Sequence, residues 1–292
     1  MTAGSTAPTG PVRVQGRVLA VKRAGVHHVV TMGAPGVAER FRPGTFVALA
    51  LGGLGSDDVL ARTYPIYRAC AAGAHGGTVD MVTSATDPAT ERLVATPGVA
   101  RVPVTGPLGR PFALPKQPVS CLLVGTDDHA ATLFPLAAKL RERGCSVHML
   151  LGARTEAALF GVLEARRSTN SLTVTTADGS VGVAGRAGDV VTDLVARVGA
   201  DVVYAAGPVD LLLAVAEAAE KHGAWSQVRV AVPMPCGIGL CRGCLVPVMA
   251  ETGASGVARA CTEGPVFRGD LVRWHDWIPD GVPDLPGHTT WI

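Results

Sequence analysis

Four cysteines crowded near the end of the 292-residue chain restrict its fold and chemistry more than any other feature. Cys236-Gly-Ile-Gly-Leu-Cys241-Arg-Gly-Cys244 spaces three of them as C-x4-C-x2-C, and Cys261 follows after sixteen further residues. This is the ligand spacing of plant-type [2Fe–2S] clusters. Gly237, Gly239 and Gly243 let such a loop wrap closely and offer backbone N–H groups to thiolate sulfur. A structural zinc ion held by four thiolates is the other occupant the set admits, although zinc ribbons usually present two C-x2-C knuckles and only one is here.

The remaining cysteines, Cys70, Cys121 and Cys145, have no partner at motif spacing and are expected as small core residues. An uneven count of seven with four crowded together is not a secreted disulfide framework, so a reducing compartment is expected. Lys+Arg 26 against Asp+Glu 24 leaves a net +2, and no basic run exceeds Arg166-Arg167, which gives no electrostatic case for nucleic acid. The first ten residues, Met1–Gly10, show no secretory pattern, and no apolar run approaches the ~18 residues of a membrane span. A cytoplasmic chain with no membrane partner is therefore expected.

The length suits two domains with a small third. Short β-branched runs broken by Gly and Pro (Val12–Val21, His27–Met32, Thr45–Leu49, Pro65–Ala69, Thr78–Ser84, Val102–Thr105) predict an antiparallel barrel or sandwich over residues 1–116. Only 4% of residues are aromatic, so Val, Ala and Leu must fill its core. From Pro118 apolar strands alternate with helical stretches: Val119–Gly125 then Ala130–Arg143, Ser146–Leu151 then Glu156–Arg167, Leu172–Thr176 then Val190–Val198, and Asp201–Ala206 then Asp210–His222. That alternation predicts a parallel, doubly wound α/β domain over 117–230. Residues 231–292 are Gly-, Cys- and Pro-rich and are expected as a small module with little room for a helix, ending in an extended tail, Gly281–Ile292. His27-His28 are expected at the surface, and Trp274, Trp277 and Trp291 on the cysteine module or on a partner.

In the first domain, Arg62-Thr63-Tyr64-Pro65-Ile66 opens a strand: an arginine there can hold a flavin phosphate, and a tyrosine two residues on can pack against the isoalloxazine. The order of parts then becomes informative. The chain resembles the electron-transfer subunits of class 1B dihydroorotate dehydrogenases, within the ferredoxin–NADP reductase-like superfamily. The resemblance rests on Pro43-Gly-Thr-Phe46, Arg62–Ile66, Gly106–Phe112, Leu151-Gly-Ala-Arg154-Thr, Asp178-Gly-Ser180, Ala206-Gly-Pro208, the cysteine motif and Ala260–Phe267.

The resemblance implies an FAD-binding barrel, a nicotinamide-binding α/β domain and a C-terminal [2Fe–2S] module with Cys236, Cys241, Cys244 and Cys261 as ligands. In that family an Arg-x-x-Ser segment cradles FAD, which falls on Arg62, Thr63, Tyr64 and Pro65; proline replaces the hydroxyl and has no donor. A Gly-x-Gly-Thr turn at the pyrophosphate falls on Asp87-Pro-Ala-Thr90, where Thr90 matches and Asp87 would repel a phosphate unless it points away. The glycine-rich nicotinamide turn falls on Gly125-Thr126-Asp127-Asp128-His129-Ala130-Ala131, of which only Gly125 matches. Asp127 and Asp128 there either oppose a dianion or cap the following helix. The implied activity is hydride transfer from NAD(H) to FAD, with single electrons leaving through the cluster to an FMN-containing dihydroorotate-oxidising subunit in a hetero-oligomer of pyrimidine biosynthesis. No acid or base is then required in this chain. Two other readings stay open: a relay fed by a different donor, and a zinc-holding assembly subunit without flavin.

Overall fold

A computed structural model describes residues 10–54, 60–73, 76–84, 87–95 and 101–277. Trp291 and the Gly281–Ile292 tail lie outside them. The β-branched runs of the first half close into an antiparallel barrel of β1 (Val12–Ala24), β2 (His27–Gly33), β3 (Phe46–Leu49), β4 (Arg62–Cys70), β5 (Thr78–Thr83) and β6 (Arg101–Leu108), in the order β1-β2-β5-β4-β3-β6. Alternation turns Val18, Val30, Met32, Val47, Ile66, Met81 and Val104 inward to an aliphatic core. A helix, α1 (Pro88–Ala95), crosses between β5 and β6.

Strand β4 has two halves with different neighbours. Ile66–Cys70 pairs with β5, whereas Arg62–Pro65 pairs only with β3, Thr63 opposite Ala48 and Pro65 opposite Phe46. The first half therefore leaves one backbone edge free of β5, and proline is tolerated there.

The second half builds a seven-stranded sheet from β7 (Ser120–Thr126), β8 (Ser146–Ala153), β9 (Ser171–Thr176), β10 (Val183–Ala184), β11 (Val202–Ala206), β12 (Trp225–Arg229) and, from beyond the cysteine motif, β15 (Val266–Arg268). Its order is β10-β9-β8-β7-β11-β12-β15, parallel except for β15. Helices α2 (Leu133–Glu142), α3 (Val162–Ser168), α4 (Ala187–Val198) and α5 (Val209–Lys221) cover both faces. The chain reverses direction between β7 and β11, the switch point where α/β sheets bind ligands. A hairpin, β13 (Leu245–Met249) and β14 (Ser255–Arg259), completes the cysteine region. One apolar core runs from Phe46, Ala48 and Leu108 of the barrel through Val230 and Met234 to Cys244, Val246 and Cys261, so the three parts share packing. Among the described residues no helix is long and apolar enough to cross a membrane.

Two expectations need correction. His27 is buried, not at the surface: its Nε2 donates to the Ala158 carbonyl (2.8 Å), its Nδ1 meets Ser84 Oγ (2.9 Å), and Phe160 packs edge-on at 5.9 Å. Cys70 is exposed at the end of β4, while Cys121 and Cys145 are buried as expected. The chain after residue 230 returns to the α/β sheet through β15, Phe267 opposite Val228. Trp277 is buried and stacks with Trp274 on the core that includes Cys244 and Cys261.

Candidate functional site

The cysteine motif forms an irregular loop between β12 and β13. Gly239 N–H donates to Cys261 Sγ (3.1 Å), Cys241 N–H to Cys236 Sγ (3.4 Å) and Gly243 N–H to Cys241 Sγ (3.3 Å). The sulfurs fall into two pairs. Cys244 Sγ and Cys261 Sγ lie 3.3 Å apart, both buried; Cys236, half-buried, meets the exposed Cys241. Burial pushes the Cys236 thiol up, but the backbone N–H groups of Cys241, Ile238 and Leu240 outweigh it and bring it down to about 6. Burial and the Cys244 sulfur push Cys261 up to about 12. Two buried thiolates at that separation repel unless a cation lies against them, so these donors fit a thiolate-bound metal group. Arg259 braces the loop: its guanidinium donates to the Gly239 carbonyl (3.1 Å) and to Glu263 (3.2 Å).

Gly237 connects this loop to the barrel. Its φ is +68°, and a Cβ there would stand 3.3 Å from both Ala48 Cβ and Thr63 Cγ2. The loop therefore lies directly on the free half of β4.

Beside that contact opens a cavity of about 680 Å³, bounded by the barrel, by the 3-10 turn Asp127–Thr132 and by Arg229–Pro235. Arg62, Thr63, Tyr64, Pro65 and Thr90 all line it, so the structure brings together the residues expected to cradle flavin, with Pro235, the neighbour of Cys236, at its edge. Tyr64 Oη and Thr90 Oγ1 are hydrogen-bonded at 2.8 Å. Asp87 also lines the cavity, but its carboxylate accepts from Ala89 N–H (3.1 Å), Thr90 N–H (3.2 Å) and Thr90 Oγ1 (2.5 Å), with Arg62 Nε at 3.6 Å. It is the cap of α1. Burial raises the Asp87 carboxyl, and the Thr90 and Ala89 hydrogen bonds and the Arg62 charge outweigh it, leaving the group below the usual range. A cavity of this size, with an arginine at one end and apolar walls at Val230, Val232 and Met234, fits a flavin nucleotide.

The turn after β7 departs from the capping reading of its carboxylates. Gly125 is required by packing: a Cβ would stand 2.8 Å from Ala130 Cα. Neither aspartate caps a helix, because Thr126 occupies the N-cap position and no side chain bonds there. Asp127, at φ +48°, and Asp128 face different spaces. Asp128 lines the flavin-sized cavity, its Oδ2 accepting from Ser84 Oγ (3.1 Å). Asp127 lines a second crevice of about 520 Å³ at the C-terminal ends of the strands, with Arg154, Arg186 and Asp210 around it. Burial and Asp128 raise its carboxyl, and Arg186 pairs with Asp210 at 3.2 Å. The buried hydroxyl of Thr126, without a hydrogen-bond partner among the described residues, lines that crevice at the sheet's switch point.

Sequence reasoning missed Arg229 and Ser84. Arg229 is buried at the end of β12 and lines the larger cavity, and a lone arginine within Ser226-Gln-Val-Arg-Val-Ala was the available signal.

Comparison with known proteins agrees with this geometry. Residues 233–273 match the family described as the iron-sulfur cluster binding domain of dihydroorotate dehydrogenase B. A dihydroorotate dehydrogenase B (NAD(+)) electron transfer subunit homolog from Thermotoga maritima is 32% identical over 248 residues, covering 84% of this chain and 82% of its own. The probable electron transfer subunit of Methanopyrus kandleri is 32% identical over 236 residues, 78% of this chain and 79% of its own. Among solved structures, a chain of an NADH-dependent reduced ferredoxin-NADP oxidoreductase superposes with a TM-score of 0.74 at 28% identity, covering 90% of this chain and 91% of that one.

Proposed function

Because the chain belongs to the family of dihydroorotate dehydrogenase B electron transfer subunits, we propose that it carries electrons between NAD(H), FAD and a [2Fe–2S] cluster and delivers them to a catalytic partner subunit. Bound FAD takes electrons in pairs and the cluster passes them singly. The observation that carries this reading is the seat of Gly237 on Thr63, which puts the cysteine loop against the wall of the flavin-sized cavity.

In this reading Cys236 and Cys241 hold one iron, Cys244 and Cys261 the other, and the N–H groups of Gly239, Cys241 and Gly243 disperse thiolate charge. Arg62 binds the FAD phosphates, Tyr64, oriented by Thr90, packs against the flavin, and Thr63 and Pro65 line its seat. Gly125 shapes the turn that separates the flavin cavity from the nucleotide crevice. Asp127 stays out of the flavin cavity and lines the nucleotide crevice instead.

We assign the partner as an FMN-containing dihydroorotate dehydrogenase subunit, docked on the loop that exposes Ile238, Leu240 and Cys241. The free state of all seven cysteines suits the cytoplasm. Metal and flavin analysis of the anaerobically purified chain tests the reading. Two irons and one FAD per chain are expected; one zinc without iron contradicts it.

A further inference from the structure

The flavin cavity has one wall that neither the cysteine motif nor the barrel cradle explains. Arg229, the last residue of β12, is 4% exposed and lines the cavity. Among the described residues its one hydrogen bond is a long one, Nε to the Gly44 carbonyl at 3.4 Å. Burial pulls this guanidinium down to about 10 and the carboxylate of Asp128 pulls it back up, so it stays charged at neutral pH. A buried cation so thinly bonded is stabilised only by charge in the adjoining space.

Asp128 lines the same cavity and is held there by Ser84 at the end of β5. Ser84 Oγ donates to its Oδ2 at 3.1 Å, and His27 Nδ1 lies 2.9 Å from that hydroxyl. The Ser84 hydroxyl, itself beside the buried His27, thus ties Asp128 to the end of β5 at the cavity. Pro65 on the opposite wall offers no donor. Arg229 and Asp128 line the cavity beside His129, whose imidazole burial pushes below its usual range, while Arg62 and Asp87 line it from the barrel.

We propose that Arg229 and Asp128 form an opposed charge pair on the sheet-side wall that sets how readily the bound flavin accepts electrons, Arg229 favouring the reduced cofactor and Asp128 opposing it. The proposal rests on the assignment of the cavity to FAD. Reduction adds negative charge to the ring system, and a desolvated cation acts on that charge far more strongly than one in water. Arg229 and Asp128 are positioning residues in this account, acting on the cofactor through space.

The test is spectroelectrochemical titration of flavin in the purified holoprotein, comparing wild type with Arg229→Gln, Arg229→Lys and Asp128→Asn. Arg229→Gln is expected to shift the oxidised-to-reduced equilibrium at least ten-fold toward oxidised flavin, about 30 mV lower for a two-electron couple. Asp128→Asn shifts it toward reduced flavin, and Arg229→Lys stays nearer wild type than Arg229→Gln. A latch that merely ties β12 to the barrel would lower the melting temperature and leave the potential unchanged. Potentials within two-fold of wild type for both neutral variants, or shifts of both in one direction, overturn the proposal. Should Arg229→Gln fail to fold, Asp128→Asn decides alone: a shift toward reduced flavin supports the pair and no shift overturns it. A wild-type chain that holds no flavin overturns the cavity assignment itself, a result distinct from unshifted potentials.

Discussion

Replacing Gly237 by alanine should uncouple the cysteine loop from the flavin wall. The new Cβ meets Ala48 Cβ and Thr63 Cγ2 at 3.3 Å each, and these two residues are paired across β3 and β4, so neither can move away independently. A left-handed alanine costs about 1–2 kcal/mol, and overpacking against a rigid pair adds about 1–3 kcal/mol. Taken together the loss is on the order of 2–5 kcal/mol, or roughly 4–20 °C in melting temperature for a chain of this size. The control is Gly253→Ala, whose φ of +84° is just as left-handed but whose Cβ would meet nothing within 4 Å. It should lose only the conformational part. Thermal melts of the two holoproteins give the difference, and stopped-flow absorbance after mixing with NADH shows whether bleaching of the cluster lags that of the flavin. Gly237→Ala should show the lag and Gly253→Ala should not. Equal melting temperatures and identical kinetics in the two variants would refute the claim that loop and cradle are in functional contact.

Other substitutions separate the parts of the site. Cys241→Ser should remove the cluster's visible absorbance and leave the flavin bound, because Cys241 is exposed and contributes to no core. Arg62→Ala should weaken FAD binding by about 1.5–3 kcal/mol, some ten- to hundred-fold, in an equilibrium titration. The Asp87 carboxyl lies below its usual range when folded, so the stability it gives is present above the unfolded carboxylate pKa and is lost as pH falls through the folded one. Acid titration of far-UV circular dichroism should accordingly show a steeper loss in wild type than in Asp87→Asn.

How much of this could be read beforehand depended on how local the determining contacts are. The cysteine spacing and the strand opened by Arg62 were legible because spacing and strand propensity are short-range properties. The cap of α1 was legible too, in Asp87-Pro88, an N-cap followed by proline at the first helical position, yet that signal was passed over in favour of a phosphate turn. Strand β12 was hidden by its polarity: Ser226, Gln227 and Arg229 are all buried, and Gln227 is satisfied by the backbone of Ala113, far away in sequence. His27 reads as a surface residue beside His28 because its partners, Ser84 and Ala158, are 57 and 131 residues distant. The opposite aims of Asp127 and Asp128 go with a left-handed backbone at Asp127, a conformation Asp tolerates better than most residues but does not by itself signal.

The measurement that bears most directly on the central claim is an anaerobic titration of the purified chain with NADH, followed through its visible spectrum. The account predicts that flavin and cluster bleach together, showing that the turn carrying Asp127 and Asp128 admits the nucleotide and that electrons cross from cavity to cysteine loop. Chromophores that are present but bleach only with dithionite would contradict it.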